Sequence, residues 1–251
     1  MIESRLRAAG CVFAEEEAAL LRAAARDDAD LERLVAARVD GTPLEVLVGW
    51  AEFCGLRIAV DPGVFVPRQR TSYVVELAAV GLRAGDVVVD LCCGTGAVGA
   101  ALAAAVPGLE VHAADVEPAA VACARRNLPP ERVHEGDLYD ALPDALRGWV
   151  GVLAVNAPYV PHDAIALMPP EARLHEPAVA LDGGPDGLDV QRRVVDDAGR
   201  WLAPGGRLLI ETGLAQAPTT RALMTAAGLT ATTHRDDDRD ATVVVGVAQP
   251  K

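Results

Sequence analysis

From about Thr71 onward the chain alternates short, almost unbroken apolar runs with longer helical stretches, and this rhythm limits the fold more than any other feature. The strand runs lie at 87–90, 110–114, 132–134, 150–155, 207–210 and 242–247, the third of them short and mixed (Arg132-Val133-His134), with helical spacing near 71–82, 97–106, 118–127, 187–202 and 215–227. A strand that is apolar at every position has both faces buried, so helices must cover both sides of its sheet. The class is therefore α/β with a mostly parallel sheet. The tail departs from the rhythm. Residues 229–234 and 242–247 flank the polar turn Arg235–Asp240, which favours an antiparallel strand at the sheet edge.

The first 40 or so residues carry a different pattern. Phe13, Leu20, Leu21, Leu31, Leu34 and Val35 recur at roughly helical spacing, and Asp30 is the expected cap of the helix that holds Leu31 and Leu34. Gly41-Thr42-Pro43 stops that pattern, and Gly49, Gly55 and Pro62-Gly63 then punctuate short apolar stretches that read as a β-hairpin. Three units are expected: a helical unit at 1–43, a hairpin linker at 44–70 and an α/β domain at 71–251. With 251 residues, 51% of them apolar, the chain can bury one sizeable core and a smaller appendage.

The formal charge of −13 disfavours nucleic-acid partners, because phosphate backbones are bound largely by Lys and Arg. Five cysteines at irregular spacing, with no C-x-x-C, suggest neither a disulfide framework nor a zinc site, and no metal is expected. Free thiols fit a reducing cytoplasm. No apolar run of about 20 residues is present, and the first ten residues hold no apolar signal core.

Between the run at 87–90 and the next helical stretch lies Asp90-Leu91-Cys92-Cys93-Gly94-Thr95-Gly96-Ala97-Val98-Gly99. Glycines let the backbone approach a ligand, the helix N-terminus offers free N–H donors, and such turns sit where α/β sheets bind ligands. Asp115 ends the following run, 21 residues after Gly94, where a carboxylate can hold both hydroxyls of a ribose. Val116 stands beside it, and Asp137-Leu138 after the third run offers an acceptor for an adenine amino group. An adenosine-containing cofactor is the expectation, contacted by Asp90, Cys92, Gly94, Thr95, Gly96, Asp115, Val116, Asp137 and Leu138.

The glycine spacing also matches the dinucleotide fingerprint. Lys251 is the only lysine, which removes Tyr-x-x-x-Lys dehydrogenase chemistry, and the five histidines are scattered. The loop Asn156-Ala157-Pro158-Tyr159, directly after the fourth run, points instead to S-adenosylmethionine, with S-adenosylhomocysteine as product. An amide nitrogen is a poor nucleophile because its lone pair is delocalised. The Asn156 side-chain oxygen and the Ala157 carbonyl can accept both its N–H bonds and aim it at a sulfonium methyl. Pro158 biases Ala157 toward extended backbone, and Tyr159 can pack on a flat group. No general base is needed for the attack, so catalysis is alignment plus electrostatics. An exocyclic amine of adenine (N6) or guanine (N2) presents the same two donors, and a non-catalytic cofactor-binding domain is a third reading.

On these motifs the chain resembles the protein-glutamine N5-methyltransferases that modify peptide-chain release factors or a large-subunit ribosomal protein, over roughly residues 44–248. Residues 49–56 are similar to that family's hairpin, and Phe65-Val66-Pro67-Arg68-Gln69-Arg70-Thr71 to its cofactor-covering segment. Asn156–Tyr159 is similar to its glutamine-binding loop and 176–188 to its long signature after that loop. The resemblance implies a seven-stranded, Rossmann-like class I methyltransferase fold and methylation of a glutamine side-chain amide. It implies cofactor contacts from Pro67, Arg68, Thr71 and Asn156, and N-terminal helices that help recognise a protein partner. Three departures mark a divergent branch: Ala157 where the first of two prolines is usual, Cys92 where a glycine is usual, and Ser72 where an acidic residue often stands.

Overall fold

The computed structural model describes residues 1–249, apart from the side chains of residues 170–172; Lys251 lies outside the described residues. Four helices come first: α1 (Ile2–Ala8), α2 (Ala14–Ala24), α3 (Asp28–Val39) and α4 (Leu44–Val48). A hairpin of β1 (Trp50–Phe53) and β2 (Leu56–Ala59) follows, then α5 (Ser72–Ala79), β3 (Val87–Leu91), α6 (Ala97–Ala105) and β4 (Glu110–Asp115). Next come α7 (Pro118–Ala124), β5 (Val133–Glu135), β6 (Val150–Val155), α8 (Pro170–His175) and α9 (Asp189–Trp201). The chain closes with β7 (Leu202–Glu211), α10 (Ala217–Ala226), β8 (Thr230–Asp236) and β9 (Ala241–Val247).

The main sheet has seven strands in the order β5-β4-β3-β6-β7-β9-β8. Pairing is parallel from β5 to β7 and antiparallel in β7–β9–β8, so the antiparallel pairing is gathered at one edge and β9 is the reversed strand. The unbroken apolar runs have the predicted cause. Val88, Ala113, Val152, Ala154 and Leu209 pack under α5, α6 and α7, while their neighbours Val89, Ala114, Leu153, Val155 and Ile210 pack against α9 and α10. The strand order reverses at β3, with β4 on one side and β6 on the other, and this opens a crevice at the carboxyl ends of those three strands.

The N-terminal helices share a core of Leu6, Ala14, Ala18, Leu21, Leu34 and Val35. Two details differ from expectation there. Asp27 caps α3, accepting the Asp30 N–H at 2.8 Å, whereas Asp30 lies inside the helix and pairs with Arg26 and Arg33. Phe13 is 66% exposed as the N-cap residue of α2, outside the helix whose buried face is Ala14, Glu17, Ala18 and Leu21. The helical packing also continues past Pro43: Leu44, Leu47 and Val48 join the same core before Gly49, in the left-handed conformation, ends α4. The hairpin proper is therefore confined to β1 and β2, which turn at Cys54 and Gly55, both with positive φ, as a two-residue hairpin loop requires.

Asn127 ties this hairpin to the main domain. Its Oδ1 accepts the Ala59 N–H at 2.8 Å, and its Nδ2 donates to the Ala59 and Thr95 carbonyls at 3.0 and 2.8 Å. Asn127→Ala takes this partner from the Ala59 N–H and the Thr95 carbonyl and leaves the Ala59 carbonyl only the weak Cys123 thiol at 3.3 Å. The expected loss of stability is about 2 kcal/mol, read from the urea midpoint at unchanged slope.

Candidate active site

The crevice holds a cavity of about 580 Å³ at the carboxyl ends of β3, β4 and β6. It is lined by Pro67, Arg68, Thr71, Asp90, Cys92, Gly94, Thr95, Asp115, Val116, Asp137, Leu138, Asn156, Ala157, Pro158 and Tyr159. Of the residues expected at the site, Gly96 alone is not among the lining. It caps α6 at φ 74°, and a Cβ there would stand 2.9 Å from Leu128 Cδ1 and 3.2 Å from Ala124 Cβ. The missing side chain there lets α6 pack closely on α7. Gly99 has a similar part, facing Val111 and Leu128.

Two carboxylates organise the loop after β3. Asp90 is buried and accepts the Gly99 N–H at 2.8 Å, fixing the first turn of α6. Burial pushes its carboxyl up to about 7, against the lowering effect of that hydrogen bond and with a smaller push from Asp115. Asp115 accepts the Gly94 N–H at 2.8 Å on one oxygen and the Glu117 N–H at 3.0 Å on the other. Burial raises it too. Each Asp115 oxygen keeps a further lone pair. Asp137, after β5, is met by Arg193 from α9 at 2.6 Å.

Thr71 is buried, and Asn156 donates its Nδ2 to the Thr71 hydroxyl at 3.4 Å. That contact orients the amide so that Oδ1 is its remaining polar atom. Among the described residues neither Asn156 Oδ1 nor the Ala157 carbonyl accepts a hydrogen bond. The 176–188 stretch folds back behind this loop. Val160 donates to the Leu181 carbonyl at 3.0 Å and accepts from Gly183 at 2.9 Å. Glu176, also buried, accepts from the Val66 N–H at 3.3 Å and from Arg68 Nη2 at 2.5 Å, joining this stretch to the 65–71 segment across the cavity.

A methyltransferase small domain matches residues 55–166. The release factor glutamine methyltransferase of Streptomyces coelicolor is 42% identical over 214 residues, covering 79% of this chain and 76% of that protein. The chain belongs to the release factor glutamine methyltransferase family. A 4-amino-L-phenylalanine/4-methylamino-L-phenylalanine methyltransferase of Streptomyces pristinaespiralis is 38% identical, over 76% of this chain and 68% of that one. A methyltransferase of Pyrococcus furiosus shares the fold, with a TM-score of 0.58 at 18% identity over 78% of this chain and 90% of that chain.

Within this family member the departures acquire a physical meaning. Cys92 holds φ at 59°, the left-handed region where a glycine carries no Cβ penalty. Leu138, also in the lining, does the same at φ 49°. Non-glycine residues held there cost about 1–3 kcal/mol each and cluster at functional sites. Ala157 is fully enclosed, so its carbonyl direction is set by its surroundings in place of a proline ring.

Three residues around the site, Arg193, Glu211 and Gln216, are not singled out in the sequence, and Arg70 is legible only as part of the 65–71 segment. Arg193 belongs to a helix whose pattern says only that one face is apolar. Arg70 and Glu211 meet across 141 positions at 3.1 Å, and Gln216 donates to the Tyr159 carbonyl at 2.9 Å. One signal was legible: Glu211-Thr212-Gly213 is polar immediately after a run of apolar strand residues.

Proposed function

We propose that this chain transfers a methyl group from S-adenosylmethionine to the side-chain amide nitrogen of a glutamine in a protein substrate, a peptide-chain release factor. The observation that carries it is the adjacent, unengaged acceptor pair Asn156 Oδ1 and Ala157 O in the same cavity as the Asp90–Gly94–Asp115 cluster. The chain's residues suit the cofactor. Asp115 has spare lone pairs for two ribose hydroxyls, Asp137 and Leu138 flank the adenine end, and a Cβ at Gly94 would meet nothing nearer than 3.9 Å. Pro67, Arg68 and Thr71 cover it, Cys92, Thr95 and Val116 complete the wall, and the volume lies in the range of small-molecule sites. When bound, S-adenosylmethionine supplies an electrophilic methyl on a sulfonium.

The protein supplies alignment. Asn156 and Ala157 grip both N–H bonds of the acceptor nitrogen, and Tyr159 packs on its plane. The loop around 176–188 closes the site against water. The helices of 1–43, with α4 packed on them, recognise the partner, and the rest of 44–70 links them to the transfer domain at 71–251. No described helix is long and apolar enough to cross a membrane. With its free thiols the chain fits the cytoplasm, where release factors and ribosomal proteins are found.

The test is incubation with methyl-labelled cofactor and each of four acceptors: a release factor, a ribosomal protein, 4-amino-L-phenylalanine, and DNA or RNA. Label on a glutamine of the release factor is the expected result, and label on the ribosomal protein alone overturns the choice of substrate. Label confined to the aromatic amine or to a base, which present the same pair of donors, overturns the reading. Nucleic acid is disfavoured locally as well as by net charge. The cavity-lining arginines Arg68, Arg70 and Arg193 are each paired with a carboxylate, Glu176, Glu211 and Asp137.

Asp90 gives the cofactor step a pH dependence. A cation in the cavity favours the ionised form of this carboxyl, so binding releases a proton wherever Asp90 is protonated in the free protein. With its value near 7, affinity is expected to rise about tenfold from pH 6 to pH 8 and then level off. Calorimetry in buffers of different ionisation enthalpy measures the released proton. Asp90→Asn is expected to flatten the profile.

A further inference from the structure

Tyr159 is held from two directions by one short stretch, Glu211–Gln216. Its hydroxyl donates to Glu211 Oε1 at 3.3 Å, and the same oxygen accepts from Arg70 Nε at 3.1 Å. Its carbonyl accepts from Gln216 Nε2 at 2.9 Å, and that nitrogen donates equally to the Asp186 carbonyl. Gln216 is itself fixed, because its Oε1 accepts from the Gly213 N–H at 3.1 Å and from the Thr212 hydroxyl at 3.4 Å. Behind it, fully buried Gln191 donates to Thr212 and accepts from Thr220. The pocket for this contact is tight. Gly187 stands so near that a Cβ on it would lie 2.3 Å from both the Tyr159 oxygen and Gln216 Nε2.

Glu211 is an expensive way to hold a ring. Its side chain is 2% exposed, and Oε2 is buried with no hydrogen-bond partner among the described residues. A half-satisfied buried carboxylate detracts from stability, and such groups in native proteins call for a functional reason. Its place supplies one. Glu211 ends β7 directly beside the end of β6, where Ile210 pairs with Val155, so it neighbours Asn156 across the sheet.

We propose that Glu211 and Gln216 are positioning residues for methyl transfer, clamping Tyr159 at hydroxyl and carbonyl so that the Asn156 and Ala157 acceptors keep their direction. This rests on the glutamine reading above. The clamp restrains the loop from its far end, while the packing around the buried Ala157 fixes the near end. Arg70, at the cavity wall, balances the charge of Glu211 and lies with its Cζ 5.9 Å from the Tyr159 ring centroid.

The experiment compares Glu211→Leu, Glu211→Gln, Gln216→Met and Tyr159→Phe with wild type. Glu211→Leu is expected to lower kcat about tenfold with cofactor Kd within twofold and a melting temperature within a few degrees. Glu211→Gln, which keeps an acceptor, is expected to recover part of that loss. Combined with Tyr159→Phe, Glu211→Leu should cost little more than either change alone, since both remove one contact. Full additivity, or an unchanged kcat in both Glu211 variants, overturns the proposal. A second readout needs no acceptor. In cofactor-loaded protein carrying 13C-labelled tyrosine, the Tyr159 signal, identified by its absence in Tyr159→Phe, should shift in Glu211→Gln and Gln216→Met. An unmoved signal overturns the clamp. A shifted signal in a protein that methylates no glutamine leaves the clamp standing and removes the glutamine reading instead.

Discussion

Asn156→Ala is expected to lower kcat by about a hundredfold at saturating cofactor, with cofactor Kd changed by less than threefold. The magnitude follows from what is removed. One of two acceptors aimed at the reacting nitrogen disappears, and loss of a single preorganised polar group of this kind costs about 10²–10³ in turnover. The split between kcat and Kd follows from location, since Asp115 and the Gly94 region, not Asn156, hold the polar groups suited to the nucleoside. Structural damage should be small. The contact that Asn156 makes with Thr71 is long, at 3.4 Å, and the Thr71 hydroxyl can turn. Steady-state kinetics with the mapped acceptor, with cofactor affinity measured separately, checks both halves. Turnover left intact would remove the loop from the chemistry.

Asp115→Ala is the second large effect, and it falls on binding. The carboxylate offers a lone pair on each oxygen to vicinal hydroxyls, and hydrogen bonds to a charged group are worth about 1.5–3 kcal/mol each. Losing both is expected to weaken cofactor binding by about a hundredfold or more. The substitution also frees the Gly94 and Glu117 N–H groups, so the loop after β3 loosens as well as losing its acceptor. At saturating cofactor kcat should recover to within a few-fold of wild type. Asp115→Asn, which retains one acceptor oxygen, should lie between. Calorimetric titration reads the affinities, and an unchanged Kd would place the ribose elsewhere.

Both predictions rest on residues visible in the sequence, and the reason is local. Asp115 and Asn156 each follow an apolar run directly, and the ends of parallel strands converge on one side of the sheet, so position in the chain already fixed their neighbourhood. Gly96 shows the limit of that logic. Its spacing suits a ligand loop, and only the folded chain shows that it also leaves room for Leu128 and Ala124. The cap of α3 shows another limit, because Asp27, Asp28 and Asp30 all suit the position and only backbone geometry selects Asp27.

Chain order alone determined the α/β class, the apolar strands, the glycine turn and the Asn-Ala-Pro-Tyr acceptors, because each depends on residues a few positions apart. Tertiary structure decided what braces those parts. Arg68 with Glu176, Asp137 with Arg193, and Arg70, Glu211 and Gln216 around Tyr159 are contacts between residues separated by 52 to 141 positions. No periodicity encodes such pairs. They come into being only when β6 and β7 lie side by side and the long loop after β6 folds back over the cavity.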